Sequence, residues 1–276
     1  MKTFYAMVLG VVQGLTEFLP VSSSGHLVLL QNLFGLTEPE LLLDICLHVG
    51  TLAAVCVVFF REIRSILMTF VKIPRLYRKH GKFMAMFNND PDIRIAGLIV
   101  FGSVPTGILG ILFHEMADRI FSSVLIVGVM LLITGTFLWL TRRLSAHGNK
   151  LKQMKISDSL IIGFAQGLAI LPGISRSGAT ISAALFLGLD RELAGRFSFL
   201  LCIPAIIGAL ALQLKSPMVY SSVPLTGILV GTLAAGITGF FALKILLSLV
   251  RKGSLYYFSL YCWILGFSSL LWHFLK

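Results

Sequence analysis

Long apolar runs broken by short polar segments set the pattern of this chain. Runs of about 20 apolar residues cover 42–61, 93–113, 120–141, 193–214, 223–247 and 256–275. At about 1.5 Å per residue, each reaches across a hydrocarbon core of roughly 30 Å. The pattern therefore predicts six transmembrane helices. Two further regions, 3–36 and 158–189, behave differently. In each, an apolar helix ends at a proline, passes through a Ser-rich loop and resumes as a short apolar helix, at 27–36 and 179–189. Helices this short span only about half of the hydrocarbon thickness. Each region is thus predicted to be a re-entrant hairpin with its loop near mid-membrane, where bare backbone survives only if protein or a water-filled cavity surrounds it.

The two hairpins are copies. "GVVQGLTEFLPVSSSGH" at 10–26 is echoed by "GFAQGLAILPGISRSGA" at 163–179, with Gly10/Gly163, Gln13/Gln166, Gly14/Gly167, Leu15/Leu168, Ser22/Ser175, Ser24/Ser177 and Gly25/Gly178 in step. Pro20 and Pro172 are displaced by one position. The chain is a duplication, with one repeat over about 1–141 and another over about 157–276 in a single integral membrane domain, 1–276. Three spans separate the hairpins, and an odd number inverts the second relative to the first. The predicted fold is an all-α polytopic membrane protein with an inverted-topology repeat: six transmembrane helices and two re-entrant helix-loop-helix hairpins meeting near mid-membrane.

Composition agrees with a membrane protein. A hydrophobic share of 57%, a charged share of 13% and a mean hydropathy of +0.91 exclude a soluble globular domain of this length. The N-terminal apolar run carries Gln13 and Glu17 and leads into serines instead of a cleavage site, so it is predicted to stay in the fold. Cys46, Cys56, Cys202 and Cys262 lie in apolar spans without CxxC spacing and read as packing residues. A net charge of +11 raises the question of nucleic acid, but placement answers it. Arg61, Arg64, Lys72, Arg75, Arg78, Lys79 and Lys82 share one loop, Arg142, Arg143, Lys150, Lys152 and Lys155 a second, and Arg251 and Lys252 a third. Alternating spans put these loops on one side, and the opposite side receives only Lys2, Arg119, Lys215 and Lys276. The basic side is then cytoplasmic and both termini lie outside. The partners expected are membrane lipid, not nucleic acid.

Against this background a few polar residues stand out. Gly10, Gln13, Gly14 and Glu17 share one face of the first hairpin helix. The glycines suit a close helix contact and Gln13 an interhelical hydrogen bond, but an intramembrane carboxylate is a functional candidate by default. Ser22, Ser23, Ser24, Gly25 and His26 follow at the start of the next helix, where a serine suits a cap or a ligand equally. The second copy has Ile170 where the first has Glu17 and Ala179 where it has His26, and it offers Ser175, Arg176, Ser177, Gly178 and Thr180 instead. A guanidinium among hydroxyls at a helix N-terminus matches a phosphate. One half supplies an acid and an imidazole, the other an oxyanion clamp. His48, His114 and Glu115 sit in or at the edge of spans and are read as packing or snorkelling residues.

"QGLTEFLPVSSSGH" with "LPGISRSGATIS" resembles the two signature motifs of the bacterial undecaprenyl-diphosphate phosphatases of the bacitracin-resistance family: an acid or Gln, three residues and Glu, then PGxSRSxxT. The resemblance runs over the whole chain, with Gln13 taking the alternative that leaves one carboxylate fewer for a metal. It implies hydrolysis of a C55 isoprenyl diphosphate to the monophosphate and phosphate, which recycles the carrier lipid for peptidoglycan synthesis and confers bacitracin resistance. It also implies that Glu17, Ser23, His26, Ser175, Arg176, Ser177 and Thr180 line the active site, that Gln13 borders it, and that a divalent cation takes part.

One arginine does not neutralise a diphosphate. Helix N-termini and a Mg²⁺ or Ca²⁺ ion on Glu17, with Gln13 beside it, would supply the remainder. The attacking group is Ser23 activated by His26 or Glu17, or a water activated by one of them. Ser22, Ser24, Gly25, Ser175, Ser177, Gly178 and Thr180 are expected around the substrate. The site opens toward the outer face, in a bacterial inner membrane. The rival class is a lipid-phosphate flippase or transporter, which uses the same inverted-repeat plan. Gly-rich stretches such as 227–239 suit packing within the chain or across a homodimer.

Overall fold

The computed structural model describes residues 2–33, 41–80, 83–114, 123–144, 148–213 and 223–275. Among them the chain is almost entirely helical: α1 (Lys2–Phe18), α2 (Ser23–Leu33), α3 (Leu41–Val58), α4 (Phe60–His80), α5 (Phe83–Asn89), α6 (Pro91–His114), α7 (Val124–Leu140), α8 (Ile156–Leu168), α9 (Arg176–Phe186), α10 (Arg191–Gln213), α11 (Leu225–Lys252) and α12 (Tyr257–Leu275), with one 3₁₀ turn at Thr141–Arg143. Among the described residues five helices are long and apolar enough to cross a membrane, α6, the stretch from Val124 to Arg143 that contains α7, and α10, α11 and α12, and the bent pair of α3 with the start of α4 makes a sixth if it counts as one span. The chain is a multi-pass membrane protein. The short-helix pairs are α1–α2 and α8–α9, whose second helices, expected at 27–36 and 179–189, begin at Ser23 and Arg176. Residues 34–36, 120–122 and 214 of the expected elements lie outside the described residues, as does Glu115.

The helix in the span expected at 42–61 ends earlier than expected. It stops at Val58, Phe59 is a turn, and the chain bends by 81° into α4. The polar stretch from 62 is therefore mostly helix. Phe59 is buried and packs on Phe199 with ring centroids 6.1 Å apart, whereas Phe60 is exposed and is followed by Arg61, Glu62 and Arg64. Beyond the bend, α4 is strongly amphipathic, as a helix lying along a membrane surface needs to be.

Packing is exchanged between the halves. Helix α1 lies on α11, the middle span of the second half, and α8 lies on α6, the middle span of the first. Both contacts are backbone to backbone. A Cβ at Gly10 would come 2.2 Å from the Gly231 carbonyl oxygen, and one at its repeat partner Gly163 would meet the Gly102 carbonyl oxygen at 1.9 Å. Only glycine admits such an approach. The stripe at 227–239 is spent in the same way: Gly231 meets α1, Gly236 meets Gly50 of α3, and Gly239 meets Phe18. The last spans, α7 and α12, pack on each other.

Candidate active site

The loops at the turns of the two hairpins, 19–22 and 169–175, touch one another. Ser22 Oγ accepts from the Gly173 N–H at 3.0 Å, and a Cβ on Gly178 would lie 3.2 Å from Pro20 Cβ. Each loop is held by the last span of the opposite half. Thr134 of α7 donates to the Gly173 carbonyl at 3.0 Å and accepts from the Ser175 N–H at 3.2 Å, while the Cys262 thiol of α12 donates to the Pro20 carbonyl at 3.4 Å.

Inside the loops the duplication persists to individual hydrogen bonds. Gly25 N–H donates to Ser22 Oγ and Gly178 N–H to Ser175 Oγ, at 3.4 and 3.2 Å, so both serines cap the helix that follows. Ser22 and Ser24 pair at 3.3 Å as Ser175 and Ser177 do at 3.2 Å. The copies part at one torsion: Ser22 has φ 68°, Ser175 has φ −76°. A non-glycine residue with positive φ is rare, and the Oγ bond across to Gly173 is what holds it there. Ser22→Ala leaves two buried N–H groups without this acceptor and is expected to destabilise the protein by about 1–3 kcal/mol, measured as a lower melting temperature in detergent. An unchanged melting temperature would mean that the clasp does not hold the loops together.

Glu17 gathers the remaining polar groups. It is buried, its side chain 4% exposed. Arg176 Nη2 donates to Oε1, while Ser23 Oγ–H and Gln13 Nε2 donate to Oε2 at 2.6 and 2.9 Å. The acid from one half is thus ion-paired to the arginine of the other. Ser23 and Arg176 occupy equivalent positions of the two repeats and converge on one carboxylate. Two buried polar atoms in the cluster, Gln13 Oε1 and Arg176 Nη1, have no hydrogen-bond partner among the described residues, with the Cys202 thiol beside the guanidinium. Buried groups of this kind are costly unless a ligand meets them.

His26 stands apart from this cluster. Its Nδ1 lies 2.7 Å from the Ser22 carbonyl oxygen and its Nε2 2.6 Å from the Tyr261 hydroxyl of α12. The sequence reading left His26 and Glu17 as alternative partners for Ser23, and in this structure Ser23 bonds Glu17. Thr180 turns its hydroxyl to the Arg176 carbonyl at 2.8 Å, bracing the turn that carries the guanidinium.

Two residues near the site were passed over in the sequence. His48 of α3, read as packing, puts Nε2 3.9 Å from Glu17 Oε2, with Nδ1 bonded to the Asp44 carbonyl at 2.7 Å. Tyr261 was not singled out at all. An imidazole inside an apolar span is a signal that would have found His48. A tyrosine among the aromatics of α12 carries none. Gln166, the repeat partner of Gln13, lies elsewhere: it donates to Thr106 Oγ1 and to the Leu201 carbonyl, at 3.2 and 3.3 Å, as packing glue.

Comparison with known proteins bears on this geometry. Residues 6–268 match the family model of the bacitracin resistance protein BacA. A protein from Desulfatibacillum aliphaticivorans named undecaprenyl-diphosphatase is 52% identical over 97% of this chain and 98% of its own length. Proteins of the same name from Desulforapulum autotrophicum and Halothermothrix orenii are 49% and 44% identical, over 98% and 96% of this chain and 98% and 96% of their own lengths.

Proposed function

Because the chain belongs to the bacitracin resistance protein BacA family, we propose that it is a membrane phosphatase that hydrolyses undecaprenyl diphosphate to undecaprenyl phosphate and inorganic phosphate, at a site shared by its two halves. The observation that carries this reading is the Glu17–Arg176 pair joining α1 to α9, with Ser23 on the same carboxylate. A binding site for a lipid anion needs the guanidinium. A nucleophile hydrogen-bonded to a carboxylate is the extra part that hydrolysis needs.

Arg176 meets the terminal phosphate with Nη1, the nitrogen left without a protein partner, and carries the charge that builds up on the phosphoryl oxygens. As the guanidinium is shared with the substrate, Glu17 loses part of its counter-charge and becomes a better base. It takes the Ser23 proton as Oγ attacks phosphorus. The anhydride bond breaks, undecaprenyl phosphate leaves, and water then releases phosphate from the serine, with His26 Nε2 accepting a proton from that water. No group of three or more His, Cys, Asp or Glu side chains gathers among the described residues, so a divalent cation would be held by Gln13 Oε1 and by a Glu17 oxygen that now accepts from Ser23, Gln13 or Arg176, with a diphosphate and water supplying the remaining oxygens. When bound, Mg²⁺ or Ca²⁺ supplies Lewis-acid neutralisation of the diphosphate. The basic loops put the cytoplasm on the side opposite the first hairpin's entry, so the site opens to the outer face of the bacterial inner membrane and takes its lipid from that leaflet.

The test is phosphate release from undecaprenyl diphosphate by the purified protein in detergent, with Ser23→Ala, Glu17→Gln and His26→Ala beside wild type, each with EDTA and with Mg²⁺ or Ca²⁺ restored. Wild type is expected to turn over. Ser23→Ala and Glu17→Gln are expected to lose about 10²–10⁴ in rate, and EDTA to silence wild type reversibly. A wild type that releases no phosphate with any cation would sink the phosphatase reading. Full activity in Ser23→Ala would shift the attack to water.

A further inference from the structure

We propose that Tyr261 links His26 to the attacking water: its hydroxyl, 2.6 Å from Nε2, donates to the lone pair of the tautomer that carries hydrogen on Nδ1, and it passes that hydrogen to Nε2 as it takes one from the water. This rests on the role given to His26 above. The hydrogen bonds dictate the tautomer. The Ser22 carbonyl, 2.7 Å from Nδ1, can only accept, so Nδ1 carries the hydrogen. In the neutral ring Nε2 then has a lone pair, and the Tyr261 O–H donates into it. The two rings lie nearly parallel, 6° apart with centroids separated by 5.7 Å, so the ring plane is set along with the tautomer. The next residue, Cys262, is buried and bonds the Pro20 carbonyl of the same loop at 3.4 Å. One turn of α12 therefore holds both the loop and the imidazole that follows it, although 235 residues of chain separate Tyr261 from His26.

An imidazole that must accept a proton at one nitrogen depends on this arrangement, because the other tautomer presents a hydrogen where a lone pair is needed. Tyr261→Phe keeps the ring and removes only the donor. It is expected to lower kcat about tenfold, with KM unchanged, since the hydroxyl acts between His26 and the water and not on lipid binding. In a His26→Ala background the same change is expected to do nothing further, the non-additivity of two residues acting as one unit.

Selective ¹⁵N labelling of the six histidines, with His26 identified by its loss in His26→Ala, reads the tautomer without any turnover. Wild type should show Nε2 as an unprotonated, hydrogen-bonded nitrogen, and Tyr261→Phe should move that resonance toward free imidazole. A hydrogen on Nε2 in wild type, or a resonance that ignores Tyr261→Phe, overturns the proposal. So does an equal kcat loss in both backgrounds, or full turnover in His26→Ala. An inert wild type would instead undo the phosphatase reading, and the nitrogen spectrum would still decide for or against Tyr261.

Discussion

Replacing Arg176 by lysine is expected to cut phosphate release by about 10²–10³ while leaving a folded protein that elutes as wild type does. The guanidinium has two tasks at once. Nη2 neutralises a carboxylate that is 4% exposed, and Nη1, buried with no hydrogen-bond partner among the described residues, is the nitrogen proposed to meet the phosphate. A planar fork serves two acceptors in fixed directions, whereas an ammonium on a flexible stem is a point charge that satisfies one or the other. Arg176→Ala is a blunter test, because it strands Glu17 without its ion partner at a cost of about 3–5 kcal/mol. Adding Glu17→Gln to Arg176→Ala should recover the lost stability without recovering turnover. Thermal unfolding and phosphate release on the same preparations separate the two effects. If Arg176→Lys stays within tenfold of wild type, the fork is not what stabilises the phosphoryl group.

That pairing was legible in part. Two copies of one motif, one keeping an acid and the other an arginine, read as complementary halves of a site, and the structure joins them at Glu17. Residue chemistry alone does not sort the serines, and it was the family resemblance that put Ser23 forward as the attacking group. Ser22, Ser23, Ser175 and Ser177 have the same chemistry, and only the path of each loop makes Ser22 and Ser175 caps and gives Ser23 to the carboxylate. His48 carried a signal, an imidazole inside an apolar span, that was read as packing, whereas Tyr261 is one of several aromatic and polar groups on α12, and its relevance depends on a tertiary approach that no local pattern encodes. The end of the first span was hidden by Phe59 and Phe60, identical in hydropathy, one buried at 5% exposure and the other 61% exposed beyond an 81° bend. The helix breaks after Phe18 and Leu168 were readable because proline and serine pointed the same way.

Gly163→Ala is expected to cost both the fold and the activity, far beyond what one methyl group in an ordinary helix would do. The added Cβ would lie 1.9 Å from the Gly102 carbonyl oxygen, backbone against backbone, so no side-chain rotation relieves it. Helices α8 and α6 must separate, which breaks the Thr106 hydroxyl bond to the Gly163 carbonyl, 2.8 Å long, and loosens the Gln166 bond to Thr106. Overpacking of this kind costs about 1–3 kcal/mol and occasionally more. The consequence for function follows from connectivity: α8 leads directly into the loop that presents Arg176, so a displaced α8 moves the guanidinium away from Glu17. A shift of about 1 Å in a positioning element is enough to cost on the order of 10² in rate. Gly208 is the control, since nothing lies within 4 Å of a Cβ placed there. Gly208→Ala should melt and turn over as wild type, while Gly163→Ala melts lower and releases little phosphate. Equal behaviour of the two variants would mean that the α6–α8 contact yields easily and that the site does not depend on it.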